Sequence, residues 1–342
     1  MDNYYAFRCS DDNTLMNSSS GGAFYCLAQT TIYNNGIVYG VIIADDGEIQ
    51  YSRAESIDGV IPMMGSKYAS ASMSDETWNE LIRDAFEGTP VLFTGTPCMV
   101  NGVRRYLNLR YPEYSKITYC DFYRCHGGFS PLLWKEECNR IAKNGNVRSI
   151  KFRDKSKSWR CYEFSYISRD GSKNEKDANL SCAGTFLGLD EARRRCCENC
   201  AYVLKKNRMS DISIGDFWNS SYLPGKWNDD KGASIIVTHS DAGDVAIDKM
   251  RCCGDIVKVS NEIEDEDAVI SNRKSFDEKE KKRLEFWDMF HNDGYDEVVD
   301  RYCPHGFIQW FKFCVVRKLL VKTRIICIKD KINNRRRLQK NG

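Results

Sequence analysis

The stretch Val91-Leu92-Phe93-Thr94-Gly95-Thr96-Pro97-Cys98 decides the fold. Its first four residues form an unbroken apolar and β-branched run, which suits a strand buried on both faces. Gly95 ends the run. Thr96 and Pro97 then have the chemistry of a helix start, a hydroxyl at the cap and a proline in the first turn. The helix is expected to reach Leu107. Ile117–Phe122 repeats the plan: a strand, the loop Cys125-His126-Gly127-Gly128, then a helix from Pro131. Two such units predict an α/β protein. The expected form is a mixed, largely parallel sheet flanked by helices, with ligands bound beyond the carboxyl ends of its strands.

Outward from this pair, Ser18-Ser19-Ser20-Gly21-Gly22 precedes a helix expected over residues 23–31. Strands are expected at 37–44 and 48–52 around the Asp45-Asp46-Gly47 turn. Residues 75–86 read as an amphipathic helix with Trp78, Leu81, Ile82 and Ala85 on one face. Further strands are expected at 147–152, at 160–168 up to the Asp170-Gly171 turn, at 211–216, and at 234–238 as the last core strand. Residues 276–292 read as a charged helix anchored by Leu284, Trp287 and Phe290. The expected division is an α/β domain over 1–254, a helical extension over 255–306 and a basic amphipathic tail over 307–342.

Among the 342 residues, 50 lysines and arginines nearly cancel 48 aspartates and glutamates, so the whole chain gives no argument for nucleic acid. The first residues lack a basic segment followed by an apolar core, and no run is long and apolar enough to span a bilayer. The expected location is the cytoplasm, a reducing compartment. From Phe307 onward, eleven basic side chains accompany the single acid Asp330 and the apolar residues Phe307, Ile308, Trp310, Phe311, Phe313, Val315 and Val316. Such a segment suits either an anionic membrane surface on the inner face or a tail helix docked on its own domain.

Sixteen cysteines without a secretion signal point to a redox or metal site and not to disulfides. Cys26, Cys138, Cys314 and Cys327 sit in apolar or helical surroundings, where cysteine packs as a small hydrophobe. Cys197 and Cys200 form a Cys-x-x-Cys pair that suits a cluster, zinc or a dithiol, and Cys196 offers a rival register. Cys98 and Cys125 each follow a strand, so both are placed at one sheet edge.

Gly65-Ser66-Lys67-Tyr68 with Ser70 has the form of a phosphate-binding turn or an ordinary polar loop. Gly95-Thr96-Pro97 is better placed for an anion, between a strand and a helix N-terminus. His126 is a candidate proton donor near neutral pH, or a loop histidine capping a carbonyl. Asp216 is either acidic machinery or a cap, and Trp218 either stacks on a flat cofactor or fills core. Arg153 and Lys155 suit an anion, or Arg153 and Asp154 a structural pair.

In order, the motifs are Ser-Gly-Gly at 20–22, Gly-Ser-Lys-Tyr at 65–68, Gly-Thr-Pro-Cys at 95–98 and Cys-His-Gly at 125–127. Phe-Arg-Asp-Lys at 152–155, Cys-x-x-Cys at 197–200 and Asp-Ile-Ser-Ile-Gly-Asp-Phe-Trp at 211–218 follow. This series resembles the coenzyme F-420 hydrogenase/dehydrogenase beta-subunit family over residues 15–245. The resemblance implies an oxidoreductase carrying FAD and a [4Fe–4S] cluster, ligated by Cys98, Cys125, Cys197 and Cys200. It also implies flavin contacts from Ser20, Gly21, Gly22, Lys67, Tyr68, Gly95 and Thr96. Implied partners are an electron-donor protein, either a ferredoxin or a partner subunit, and a small-molecule acceptor. The family's occurrence beside surface-polysaccharide genes implies a sugar-pathway role. The sequence departs from the pattern at Asn219 and Met99, and it opens without the ferredoxin-like module of many relatives. The alternatives are a non-catalytic accessory protein that keeps the fold and binds a membrane glycan-synthesis complex, and a zinc-stabilised transferase.

Overall fold

The computed structural model describes residues 2–323 apart from 112–115, 143–146, 199, 204–206, 224 and 261–275. Cys327 and the last basic residues of the tail lie outside the described residues. The chain divides into two compact units. The first comprises residues 1–65, 71–125 and 201–264; the second comprises 66–70, 126–200 and 265–342.

Eleven strands are found among the described residues: β1 (Asn3–Cys9), β2 (Ile37–Ile43), β3 (Ile49–Ala54), β4 (Val91–Gly95), β5 (Ile117–Phe122), β6 (Val147–Asp154), β7 (Glu163–Ser168), β8 (Lys173–Asp177), β9 (Ile212–Asp216), β10 (Ser234–Thr238) and β11 (Gly254–Val259). The first unit is built on an eight-stranded sheet in the order β11-β1-β10-β9-β5-β4-β2-β3. The sheet is mixed, as expected. Its parallel part is the central run β2-β4-β5-β9, and the remaining pairings are antiparallel.

Alternation along each strand sends side chains to two covered faces. Leu92, Val38, Ile212 and Ile236 join Cys26 and Leu27 of the Ala23–Tyr33 helix and Ile247 of the Asp241–Met250 helix. Phe93, Tyr39, Tyr51 and Tyr119 join Leu81 and Ala85 of the Asp75–Phe86 helix and Val100, Val103 and Leu107 of the Pro97–Arg110 helix. Trp78 and Ile82 pack against the second cluster, on the face the periodicity gives them. The Asp75–Phe86 helix is capped by Ser74, whose hydroxyl accepts from the Thr77 N–H.

Neither β1 nor β11 is expected from the sequence. β1 lies inside the sheet between β10 and β11; 234–238 is the last strand buried throughout, and β11 adds a partly exposed edge after it. The charge near the end of NYYAFRC hides β1 from a reading of hydrophobic runs. Arg8 is buried nonetheless, with its guanidinium donating to both oxygens of Asp229 at 2.8 and 2.6 Å. A buried charge is tolerable when it is paired this way.

The second unit holds the sheet β6-β7-β8, antiparallel throughout. The expected Asp170-Gly171 turn joins β7 to β8, with Gly171 at φ +86°. β8 is KNEKD, too charged to read as a strand; it is a sheet edge whose Lys173 pairs with Asp154 at 2.9 Å. Phe152 of β6 packs with Phe129, Trp134, Phe164 and Tyr68. The Phe276–Asn292 helix does not use Leu284 as an anchor, since that side chain is 57% exposed. Phe286 is fully buried instead, against Phe186 and Tyr302, and the Trp287 indole N–H donates to the Glu191 carbonyl at 3.1 Å. The Arg153-Asp154 segment makes further contacts. Asp154 accepts from Ser165 and Lys173, while the Arg153 guanidinium lies over the Tyr162 ring at 4.5 Å.

Candidate functional site

In the first unit the parallel pairing β4-β5-β9 puts three strand ends at one sheet edge, with Gly95 opposite Asp121 and Phe122 opposite Ile214. Gly95-Thr96-Pro97-Cys98 leaves β4 there, Cys125 follows β5, and Asp216, Phe217 and Trp218 end β9. Asp216 pairs with Ser234 at the start of β10. The Ser20-Gly21-Gly22 turn is fastened to that same point. The Ser20 hydroxyl donates to the Ala233 carbonyl at 2.5 Å, and the Gly21 N–H donates to the Ser234 hydroxyl at 2.9 Å.

The glycines of these turns are required by contact. A Cβ on Gly21 would stand 2.3 Å from the Phe7 carbonyl oxygen and 2.4 Å from the Ser234 nitrogen. Gly22, at φ +87°, opens the Ala23–Tyr33 helix without a side-chain cap. Thr96 likewise opens the Pro97–Arg110 helix without capping it; its hydroxyl lies 3.2 Å from Cys98 Sγ instead. Both helices therefore keep first-turn N–H groups for an anionic group. A Cβ on Gly95 would fall 2.1 Å from the Tyr51 hydroxyl. Burial and then the nearby Cys98 push the Tyr51 phenol far above its ordinary pKa, so it stays a neutral hydroxyl. Cys98 is exposed, Cys125 is half-buried, and Asp216 and Trp218 are half-buried. Gly65, at φ +82°, stands in open space at the end of its segment in this unit.

In the second unit the 66–70 segment runs beside the loop after Cys125. The Phe129 N–H donates to the Tyr68 carbonyl at 3.1 Å, and Ala69 bridges Phe129 in parallel. Arg194 donates to the Ser70 hydroxyl at 3.3 Å, and its N–H donates to the Gly128 carbonyl at 3.2 Å. Tyr68 sets its ring edge-on to Phe152 at 5.7 Å. Ser66 is half-buried. Burial pulls the Lys67 ammonium down to a pKa of about 7, where an arriving anion would recharge it. Gly127, two residues past Cys125, is at φ +88°, and a Cβ there would meet Cys197 Cβ at 2.9 Å and Sγ at 3.2 Å. The Cys-His-Gly and Cys-x-x-Cys motifs thus meet through Gly127 and Cys197. Cys196 is exposed, Cys197 and Cys200 are half-buried, and His126 is exposed. Among the described residues, no three His, Cys, Asp or Glu side chains are gathered as a metal site.

One polar chain had no signal in the sequence. Ser213 donates to the buried Asp121 carboxylate and lies 2.8 Å from His239 Nε2, while His239 Nδ1 lies 3.2 Å from Asp2. Burial pushes the Asp121 carboxyl up, against the pull of Arg208 at 3.7 Å. Such a chain can hold a proton beneath the sheet edge. Its members at 2, 121, 213 and 239 come from four separate segments, so no motif announces it.

A family model matches residues 88–263, just over half of the chain; it describes the C-terminal part of the beta subunit in coenzyme F420 hydrogenase/dehydrogenase. The chain belongs to that family. Membership places it among redox proteins of the hydrogenase/dehydrogenase class, and the matched span holds the Gly-Thr-Pro-Cys, Cys-His-Gly and Cys-x-x-Cys motifs. Among solved structures, the family fold is shared with a chain of the F420-reducing [NiFe] hydrogenase complex from Methanosarcina barkeri. The likeness is 14% in identity with a TM-score of 0.51, over 87% of this chain and 91% of that one, and it speaks to fold alone. A search of curated proteins finds no match. Among the described residues, no helix is long and apolar enough to cross a membrane.

Proposed function

We propose that this family member is an iron–sulfur flavoprotein oxidoreductase. It takes electrons from a donor protein and delivers electrons or hydride to a small organic acceptor. The observation that carries the reading is the packing of Gly127 on Cys197, which joins two of the cysteine motifs and favours Cys197 over Cys196. The donor set suits the group: Cys98, Cys125, Cys197 and Cys200 are not in disulfides, and thiolate is the ligand iron–sulfur clusters take. In the first unit the uncapped N-termini behind Gly22 and Thr96 suit a flavin phosphate, and in the second the Lys67 amine suits an anion of the same kind. When bound, the two groups supply one-electron and hydride chemistry. The chain's own residues position and charge the site: Lys67 and the helix N-termini hold phosphate, and Trp218 offers an aromatic face. His126 and Asp216 are the groups that move a proton at the acceptor.

Anaerobic purification with quantified iron, sulfide and flavin tests the reading. Iron and flavin in the purified protein are expected, with iron lost in Cys197→Ser and kept in Cys196→Ser. Iron-free, flavin-free protein refutes it.

A second reading concerns where the protein works. The Phe307–Trp310 helix and its continuation to Lys322 expose Phe307 (73%), Ile308 (79%), Phe311, Val315 and Leu319 beside Lys312 and Lys322. Arg317 and Lys318 fasten the helix to Arg160 and Glu163 of its own unit, so the apolar face is left outward. A basic helix with an outward apolar face suits an anionic lipid surface. Cosedimentation with anionic but not zwitterionic vesicles is expected. Equal binding by a chain ending at residue 306 would remove this reading.

A further inference from the structure

Four cysteines outside the family motifs meet in the first unit. Cys9 ends β1 and Cys26 sits one turn into the Ala23–Tyr33 helix; Cys252 and Cys253 lead into β11, where Gly254 pairs with Cys9. Cys9 and Cys26 are buried in one core cluster, and Cys253 packs against it. Cys253 Sγ lies 3.6 Å from Cys252 Sγ. Accessibility falls along the row: Cys252 is exposed, Cys253 half-buried, and Cys9 and Cys26 buried. Two further contacts hold the row in place. The Ser10 N–H donates to the Cys253 carbonyl at 3.0 Å, and the Cys253 thiol donates to Gln29 Oε1 at 3.6 Å. Four thiols brought together from surface to core suit thiol–disulfide exchange.

We propose that Cys252, Cys253, Cys26 and Cys9 form a thiol–disulfide relay that carries oxidation by a low-molecular-weight disulfide from the surface to a buried Cys9–Cys26 disulfide. The exposed Cys252 thiolate attacks one sulfur of the small disulfide and releases one small thiolate. Cys253 attacks the Cys252 sulfur of that adduct and releases the second. Cys26 then attacks Cys253 as its proton passes to Cys9, which returns Cys252 to the thiolate. Finally Cys9 attacks Cys26, passing its proton to the departing Cys253 thiolate. The net change is one small disulfide reduced to two small thiols while the Cys9 and Cys26 thiols become one disulfide. Two electrons and two protons leave the protein pair. The acidities suit these roles: the neighbouring Cys26 thiol lowers Cys9 to about 7, and burial pushes Cys253 up to about 11. The product disulfide sits against the Ser20-Gly21-Gly22 turn, because the Cys9 N–H donates to the Gly21 carbonyl at 2.8 Å.

The test uses the full chain, reduced and handled without oxygen, with oxidised glutathione as the probe. Remaining thiols are alkylated in denaturant and the peptides mapped. A Cys9–Cys26 disulfide is expected, with two glutathione thiols released for each one formed. Glutathione resting on Cys252 or Cys253 while Cys9 and Cys26 alkylate fully overturns the relay. In the Cys252→Ser/Cys253→Ser variant, Cys9–Cys26 oxidation is expected to slow by about tenfold or more; an unchanged rate overturns the entry path. Both serines replace side chains that are exposed or half-exposed, so the fold survives them. Peptide mapping does not depend on flavin or iron, so the result stands apart from the proposed oxidoreductase activity.

Discussion

Gly95→Ala tests the turn at the end of β4 more sharply than any charge change. The new methyl group would stand 2.1 Å from the Tyr51 hydroxyl, 3.3 Å from Tyr51 Cζ and 3.7 Å from Met99 Cβ. Tyr51 has little room to give: it is 4% exposed and stacked on Phe93 at 5.3 Å with the rings 6° apart. Overpacking of this kind costs about 1–3 kcal/mol, and the rigid neighbour puts Gly95→Ala near the upper end. Tyr51→Phe alone loses one hydroxyl, worth about 1 kcal/mol. In the double variant the clashing oxygen is gone, and the nearest contact returns to 3.3 Å. The double variant is therefore expected to be about 1 kcal/mol less stable than wild type, against about 4 kcal/mol for additive changes. Urea unfolding followed by tryptophan fluorescence reads this as a midpoint drop of about 1 M or more for Gly95→Ala and its near-recovery in the double variant. A double variant no more stable than Gly95→Ala would refute the packing argument.

Three other outcomes follow from named residues. Burial pulls Lys67 down to a pKa of about 7, and a phosphate bound there would raise it; under the proposed flavin contact, affinity is expected to be full below pH 7 and to fall above it, by up to about tenfold per pH unit. Fluorescence titration from pH 6 to 9 should show that slope in wild type and lose it in Lys67→Met. Asp211 is buried and accepts from Arg104 at 3.0 Å, Ser240 at 2.8 Å and the Tyr119 N–H at 2.9 Å, so Asp211→Ala should cost about 3 kcal/mol in denaturant unfolding. Burial opposes ionisation of Asp154, but hydrogen bonds from Ser156, Lys173 and Ser165 outweigh it and hold the carboxyl well below the usual range. Its folded pKa being depressed, the stabilisation is present above about pH 4 and is lost as pH falls further; Asp154→Asn should flatten that acid limb of a thermal-shift profile.

The strand–turn–helix units at 91–110 and 117–142 were legible because they answer to local rules. An apolar run buried on both faces cannot be mistaken for a polar loop, and Thr-Pro opens a helix wherever it stands. The glycine turns and cysteine spacings were legible for the same reason: each motif is contiguous. β1 and β8 were not legible, because Arg8 is neutralised by Asp229 some 220 residues away and β8 is an edge that tolerates charge. Leu284 misled because helical spacing fixes a face and not which neighbour covers it; Phe286 took the core instead. Cys26 was read as a small hydrophobe, and it is one, but its contacts with Cys9 and Cys253 arise only when β1 and β11 pair. The sequence alone determined the α/β class, the family and the order of its motifs, since these rest on residues close together in the chain. Tertiary structure alone decided that three loops share one sheet edge, that Gly127 seats Cys197, and that four distant cysteines form a row. Those are contacts between segments, set by strand pairing and close packing rather than by local spacing.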